Sequence, residues 1–221
     1  MNVRHAASRI IGVTGADGSG KTTLTTWLRE ELHFRGHAPG FVWSRFNNYL
    51  SLPFLALTRM TGHNVYRDCA GVRMGFHEFD RLPVPVRQLF VALQLVDVNI
   101  STLLKINRPS RRMPVTICER GPWDTLVDVA ADTAFESLAS ERVLGLFAGQ
   151  VTKRTDIVLI DRAADLIEAA RPELVFDVKL RQRQKLYRRL AEVGDWKVLD
   201  NNGDLDDTKR RFSAWLTEKG Y

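Results

Sequence analysis

The sequence predicts an α/β fold: a three-layer α/β/α sandwich on a five-stranded parallel sheet. Three observations predict it. Apolar runs of strand length recur along the 221 residues. They lack the clean alternation of a strand with one solvated face. Helical patterns separate them, as in successive strand–helix–strand units. A chain of this length buries a full core and reads as one domain, with room for an insertion and a lid.

The first run is "RIIGVT", residues 9 to 14, where Ile10, Ile11 and Val13 mark a buried strand. A helix follows, because Leu24, Trp27, Leu28 and Leu32 recur at helical spacing and Gly36 is placed to end it. "GFVW" (40–43) is the second strand. Residues 46 to 85 read as an insertion rich in aromatics and arginines, whose apolar part suits a helix packing on the core or on a second subunit. The helix over 86–105 has two faces. Leu89, Leu93, Val96, Ile100 and Leu103 are its expected core stripe, and Phe90, Gln94, Asp97 and Ser101 lie on another face. "PVTICE" (114–119), "DIVLID" (156–161) and "WKVLD" (196–200) complete the five strands. The basic run "KLRQRQKLYRR" (179–189) reads either as a solvated helix face or as part of a phosphate-binding lid over about 162–183. The last helix, roughly 206–216, has Phe212, Trp215 and Leu216 for packing.

In open parallel sheets ligands bind beyond the carboxyl ends of the strands. The turn after the first strand, Gly15 to Thr22, fits G-x-x-x-x-G-K-[ST], and it sits between a strand and a helix as that pattern requires. Such a loop (Gly15, Ala16, Asp17, Gly18, Ser19, Gly20, Lys21, Thr22, then Thr23) wraps backbone N–H groups around an anion at the positive end of a helix. Lys21 supplies a point charge to β and γ phosphates, and the Thr22 hydroxyl is placed for Mg²⁺. The expected fold is therefore of P-loop NTPase type, with ATP and Mg²⁺ as cofactors. After "PVTICE", Glu119 can hold Mg²⁺ through water or orient an attacking oxygen. The adjacent Arg120 can bridge donor and acceptor phosphates with its fork of donors.

Three segments together, "GADGSGKTT", "VTICERGPWDTLVD" and "DIVLIDRAADLIEAARPELV" followed by "RQKLYRRLA", resemble thymidylate kinases and their nucleoside monophosphate kinase relatives. The resemblance implies ATP- and Mg²⁺-dependent phosphoryl transfer to a small acceptor, most simply a nucleoside monophosphate. It gives Asp17 a hydrogen bond to the acceptor's sugar, Arg45 the acceptor phosphate, and Phe90 a stack on the acceptor base. Some relatives carry an arginine within the loop, where this chain has Gly18. Arg171 is then the leading lid candidate for that charge, with Arg162, Arg181 and Arg183 behind it. Where the family reads the base with an arginine, this chain has Gln94, with Asp97 nearly one turn on. Gly121 and Asp128 also depart from the family's pattern. Thymidylate itself is thus expected to be a poor acceptor. A nucleoside or another small metabolite stays open as the acceptor, and so does a non-catalytic nucleotide-dependent switch.

The net charge of +6 favours anionic partners, but no nucleic-acid-binding motif is present. No run approaches the roughly 20 apolar residues of a membrane span, and no secretory leader is read at the polar start. Two separated cysteines, with Cys118 expected as a buried free thiol, suit a reduced, cytoplasmic protein. The apolar helix 86–105 and the resemblance together imply a homodimer.

Overall fold

A computed structural model describes residues 8–45 and 48–221. Residues 1–7, in the polar start, and Phe46 and Asn47, at the head of the expected insertion, lie outside the described residues. The architecture is α/β. Strands β1 (Arg9–Thr14), β2 (Gly40–Trp43), β5 (Val115–Glu119), β6 (Thr155–Asp161) and β7 (Lys197–Asp200) form an all-parallel sheet in the order β2-β5-β1-β6-β7. The central pairing sets Val13 of β1 beside Glu119 of β5 and Val158 of β6. This register brings the loop after β1 level with the ends of both neighbours.

Alternation along β1 splits the core. Ile11 and Val13 face α1 (Lys21–Phe34) and α9 (Leu205–Glu218), against Leu24, Leu28, Leu32, Phe212 and Leu216. Ile10 faces the other way, toward a cluster that includes Trp123, Leu126, Phe147 and Leu190. Those residues come from α5 (Pro122–Thr133), α6 (Glu141–Ala148) and α8 (Leu180–Val193). Helices therefore cover both faces of the sheet. Truncating a fully buried leucine such as Leu28 would cost about 2–5 kcal/mol.

The helix expected in the apolar part of the 46–85 segment is present and packs Phe54 into the core, but it does not account for the whole segment. That helix is Leu52–Met60 (α2), and a 3₁₀ turn (Phe79–Arg81) lies near the segment's end. After α2 comes an antiparallel hairpin, β3 (Asn64–Cys69) with β4 (Val72–His77), that forms its own two-stranded sheet. Phe54 of α2, Phe79 and Phe90 close a third apolar cluster beneath the hairpin.

The helix after this segment inverts the expected orientation. It runs as α3 (Val84–Ser101), a π-helical stretch (Thr102–Asn107) and α4 (Arg108–Ser110). Phe90, Gln94, Asp97 and Ser101 face inward. Of the expected core stripe, Leu93 is partly buried, whereas Leu89 is 54% and Val96 44% exposed, and Ile100 and Leu103 are also exposed. The polar residues bury at little cost because Gln94 and Asp97 are satisfied by residues 48–51 and Ser101 lies against Ser44, which leaves the apolar stripe outside. By length and composition alone, residues 84–110 are long and apolar enough to cross a membrane, contrary to the expectation above, and less than half of that window is buried.

Candidate functional site

The loop between β1 and α1 is held in one shape from several sides. Gly15 has φ 141°, and a Cβ there would lie 2.4 Å from the Ile160 carbonyl oxygen of β6. Gly20, the left-handed residue before α1, would drive a Cβ to 2.5 Å from Nδ2 of Asn201. That Asn201 amide, in the loop after β7, donates to the Ser19 carbonyl oxygen at 2.8 Å. Only glycine tolerates both the dihedral and the contact at these two positions.

Lys21 opens α1 and is 4% exposed. Its ammonium curls back to donate to the Ala16 carbonyl oxygen and has no carboxylate partner among the described residues. Burial, reinforced by the nearby Arg120 charge, pushes it down to about 7, although Asp17 and Asp124 pull the other way. The Ser19 hydroxyl is buried with no hydrogen-bond partner. Glu119, at the end of β5, accepts from the Thr22 hydroxyl on one carboxylate oxygen and from the Thr25 hydroxyl on the other, each at 2.7 Å. Thr23 points out to solvent. A buried cation, an orphaned hydroxyl and a carboxylate–threonine pair at one helix N-terminus suit a phosphate chain with its cation. No cluster of three or more metal-ligating side chains occurs among the described residues. Any Mg²⁺ here would draw its remaining ligands from phosphate and water, as that ion commonly does.

Arg120 adopts the left-handed region at φ 63°, sparsely used by non-glycine residues. Its guanidinium pairs with Asp17 and lies 3.7 Å from Asp124. Arg45 also pairs with Asp17, at 3.0 Å, and with Asp128 at 3.0 Å. Burial alone would raise the Asp17 carboxyl, but Arg45, Arg120 and Lys21 outweigh it and hold it well below the usual carboxylate range. From Asp128 the pattern continues through Arg183 (3.3 Å) to Asp132 (3.2 Å) and from Asp132 to His77 Nδ1 (2.8 Å). Alternating charges thus line one side of a cleft of about 990 Å³ that opens beside Asp17, between the hairpin and residues 171–183. That volume stands at the upper end of the range for small-molecule pockets, about 300–1,000 Å³.

On the opposite rim, α7 (Ala164–Ala170) and a 3₁₀ turn (Pro172–Phe176) lie over the loop. A Cβ at Gly18 would meet Ile167 at 2.8 Å, Leu174 at 3.2 Å and the Arg171 Cδ at 3.4 Å. The Arg171 side chain is 47% exposed at the cleft mouth and pairs with Glu173. Arg162 reaches toward the Gly18 carbonyl oxygen at 3.4 Å, and its Nε is buried without a partner. Arg181 turns outward to Asp165 and Glu168.

Three sequence-predicted residues are not brought to the cleft. Phe90 is buried, with its ring stacked on Phe54 at 4.9 Å. Gln94 donates to Asn48 and Ser51. Asp97 accepts from the backbone N–H groups of Tyr49, Leu50 and Ser51 and from the Ser51 hydroxyl. These bonds hold its carboxyl low against the opposing effect of burial. The expectation that this face reads an acceptor ring is therefore corrected: it anchors the turn that begins α2. Sequence reasoning missed Asp124 and Asp132, and read Asp128 only as a departure. Asp124 is fully buried and accepts from Thr14, Tyr187 and the Gly121 N–H. Its burial raises the carboxyl despite Arg120 and Lys21. The signal was available, since Asp124, Asp128 and Asp132 recur every four residues along an otherwise apolar helix. Compared with known proteins, the chain matches no family model and no curated protein.

Proposed function

We propose that this protein is a P-loop phosphotransferase that uses ATP and Mg²⁺ to phosphorylate a small acceptor. The observation that carries the reading is Lys21: a buried ammonium without a carboxylate partner, at a helix N-terminus, beside the orphaned Ser19 hydroxyl and the Thr22–Glu119 pair. A buried cation of this kind calls for an anion. The loop N–H groups and Lys21 would hold the β and γ phosphates, and Thr22 and Glu119 would hold Mg²⁺. The ion's contribution is to neutralise charge on the transferred group. Arg120, paired with Asp17, and Arg171, at the cleft mouth near Gly18, would supply positive charge where negative charge develops in transfer. The new bond joins an acceptor oxygen to the γ phosphorus as the bond to the bridging oxygen breaks and ADP leaves.

The resemblance points to a nucleoside monophosphate as acceptor, with Arg45 on its phosphate. One observation favours a second reading, an alcohol. Arg45 is clasped between Asp17 and Asp128, so the wall next to the loop is charge-balanced rather than cationic. An alcohol would hydrogen-bond to Asp17, an ionised carboxylate facing the cleft, and would pass its proton to the transferred phosphate as the new bond forms. We also propose a homodimer through the outward stripe of α3. The test of function is ADP formation with pooled nucleoside monophosphates, nucleosides and small hydroxylated metabolites. Acceptor-dependent ADP supports a kinase. Slow hydrolysis indifferent to every acceptor would favour a nucleotide-dependent switch instead.

A further inference from the structure

The hairpin wall of the cleft carries a feature that the transfer site does not use. Tyr66 of β3 is 48% exposed and lies across the strand from Gly75 of β4, a position with no side chain to cover the ring. Two guanidinium groups sit against that ring, Arg59 of α2 at 5.0 Å and Arg73 of β4 at 5.1 Å from its centroid. Neither has a carboxylate partner among the described residues. Asp68, cross-strand from Arg73, is occupied instead in accepting the Gly71 N–H of the turn. Arg67 differs, being paired with Glu78. Tyr66, Arg59 and Arg73 all line the cleft.

A guanidinium stacked on an aromatic face uses its π surface and leaves its in-plane N–H donors free. Two of them on one ring keep their guanidinium carbons within about 10 Å of each other, a span that a phosphate or diphosphate can bridge. The walls of the cleft therefore differ in charge. Near Asp17 the cations are matched by carboxylates, and beside Tyr66 two of them, Arg59 and Arg73, have no ion pair among the described residues.

We propose that Arg59 and Arg73, braced by Tyr66, form a distal phosphate site, so that the acceptor is a compound already carrying a phosphate or diphosphate remote from the oxygen that is phosphorylated. The substrate class rests on the kinase reading above, whereas the anion site itself does not.

The test separates the two. Inorganic pyrophosphate is titrated calorimetrically into the full chain carrying Lys21→Ala, which removes the loop's own cation. In that background, adding Arg59→Ala and Arg73→Ala together weakens binding at least tenfold, each alone weakens it several-fold, and Arg142→Ala on α6, away from the cleft, leaves it unchanged. All these arginines are exposed, and circular dichroism checks that each variant keeps its fold. A second arm compares turnover of alcohols with and without a distal phosphate by the otherwise wild-type enzyme. The phosphorylated partner is preferred at least tenfold in kcat/KM, and the double substitution erases that preference while leaving KM for ATP unchanged. Pyrophosphate binding that the double substitution leaves within twofold, or that is missing from the Lys21→Ala parent at millimolar concentration, overturns the proposal even if phosphotransfer is found. Binding that is lost on the double substitution, in a protein that transfers to no acceptor, upholds the anion site and sinks the kinase reading.

Discussion

Lys21 is the side chain on which most of the functional reading turns, and its environment gives a signature independent of any acceptor. Its ammonium is pushed down to about 7 in the free protein, and a bound triphosphate favours the charged form. Nucleotide binding at pH 8 should therefore take up a proton. At pH 6 the ammonium is already charged and the uptake disappears. Calorimetry in buffers of different ionisation enthalpy measures this, and Lys21→Ala should abolish both the uptake and phosphotransfer without unfolding the chain. Arg120 and Arg171 should behave differently. Each truncation to alanine lowers turnover by about tenfold or more, a loss of at least ~1.4 kcal/mol of transition-state stabilisation, with a smaller change in ATP affinity. A rise in the ATP dissociation constant with unchanged kcat would count against them. The loop's shape was legible because its pattern is local: the glycines, the lysine and the threonine lie within one turn between β1 and α1. The partners of Arg45 and Arg120 were not legible, since Asp17 and Asp128 reach them only across the folded sheet.

Among the elements, α3 and the hairpin show where sequence pattern stops being informative. The five parallel strands were readable because buried strands are continuous apolar runs, and all five occur within a residue of their expected bounds. The two faces of α3 were also seen, but hydrophobicity assigned the wrong one to the core. Asp97 explains why, because four hydrogen bonds on one buried carboxylate make a polar face packable. Asp97→Ala should accordingly cost about 2–4 kcal/mol in chemical denaturation, as it strands buried donors. Asp97→Asn, which keeps an acceptor oxygen, should cost less. An Asp97→Ala protein of wild-type stability would remove this role. The hairpin escaped notice because its strands mix Arg67, Asp68 and Arg73 with apolar residues, and its Ala70–Gly71 turn lacks the usual Asn-Gly or Asp-Gly signal.

For the molecule as a whole, the outward stripe of α3 bears on assembly. Leu89, Val96, Ile100 and Leu103 leave an apolar strip in water, and such strips mark contact surfaces. Sedimentation at micromolar concentration should show a dimer, and Val96→Glu with Ile100→Glu should return it to monomer with unchanged helicity. A wild-type monomer at that concentration removes the dimer. The two cysteines have a different use. Cys118 lies fully buried in β5, its thiol pushed up by burial and by nearby Asp124 and Glu119, while Cys69 is buried at the end of β3. One thiol is therefore sealed into each sheet, and neither can be alkylated until its own sheet opens. Pulsed alkylation followed by mass spectrometry would time the two openings separately in the unmodified chain. Cys69 should label first and Cys118 only with global unfolding, so the protein contains its own pair of clocks for the hairpin and the core.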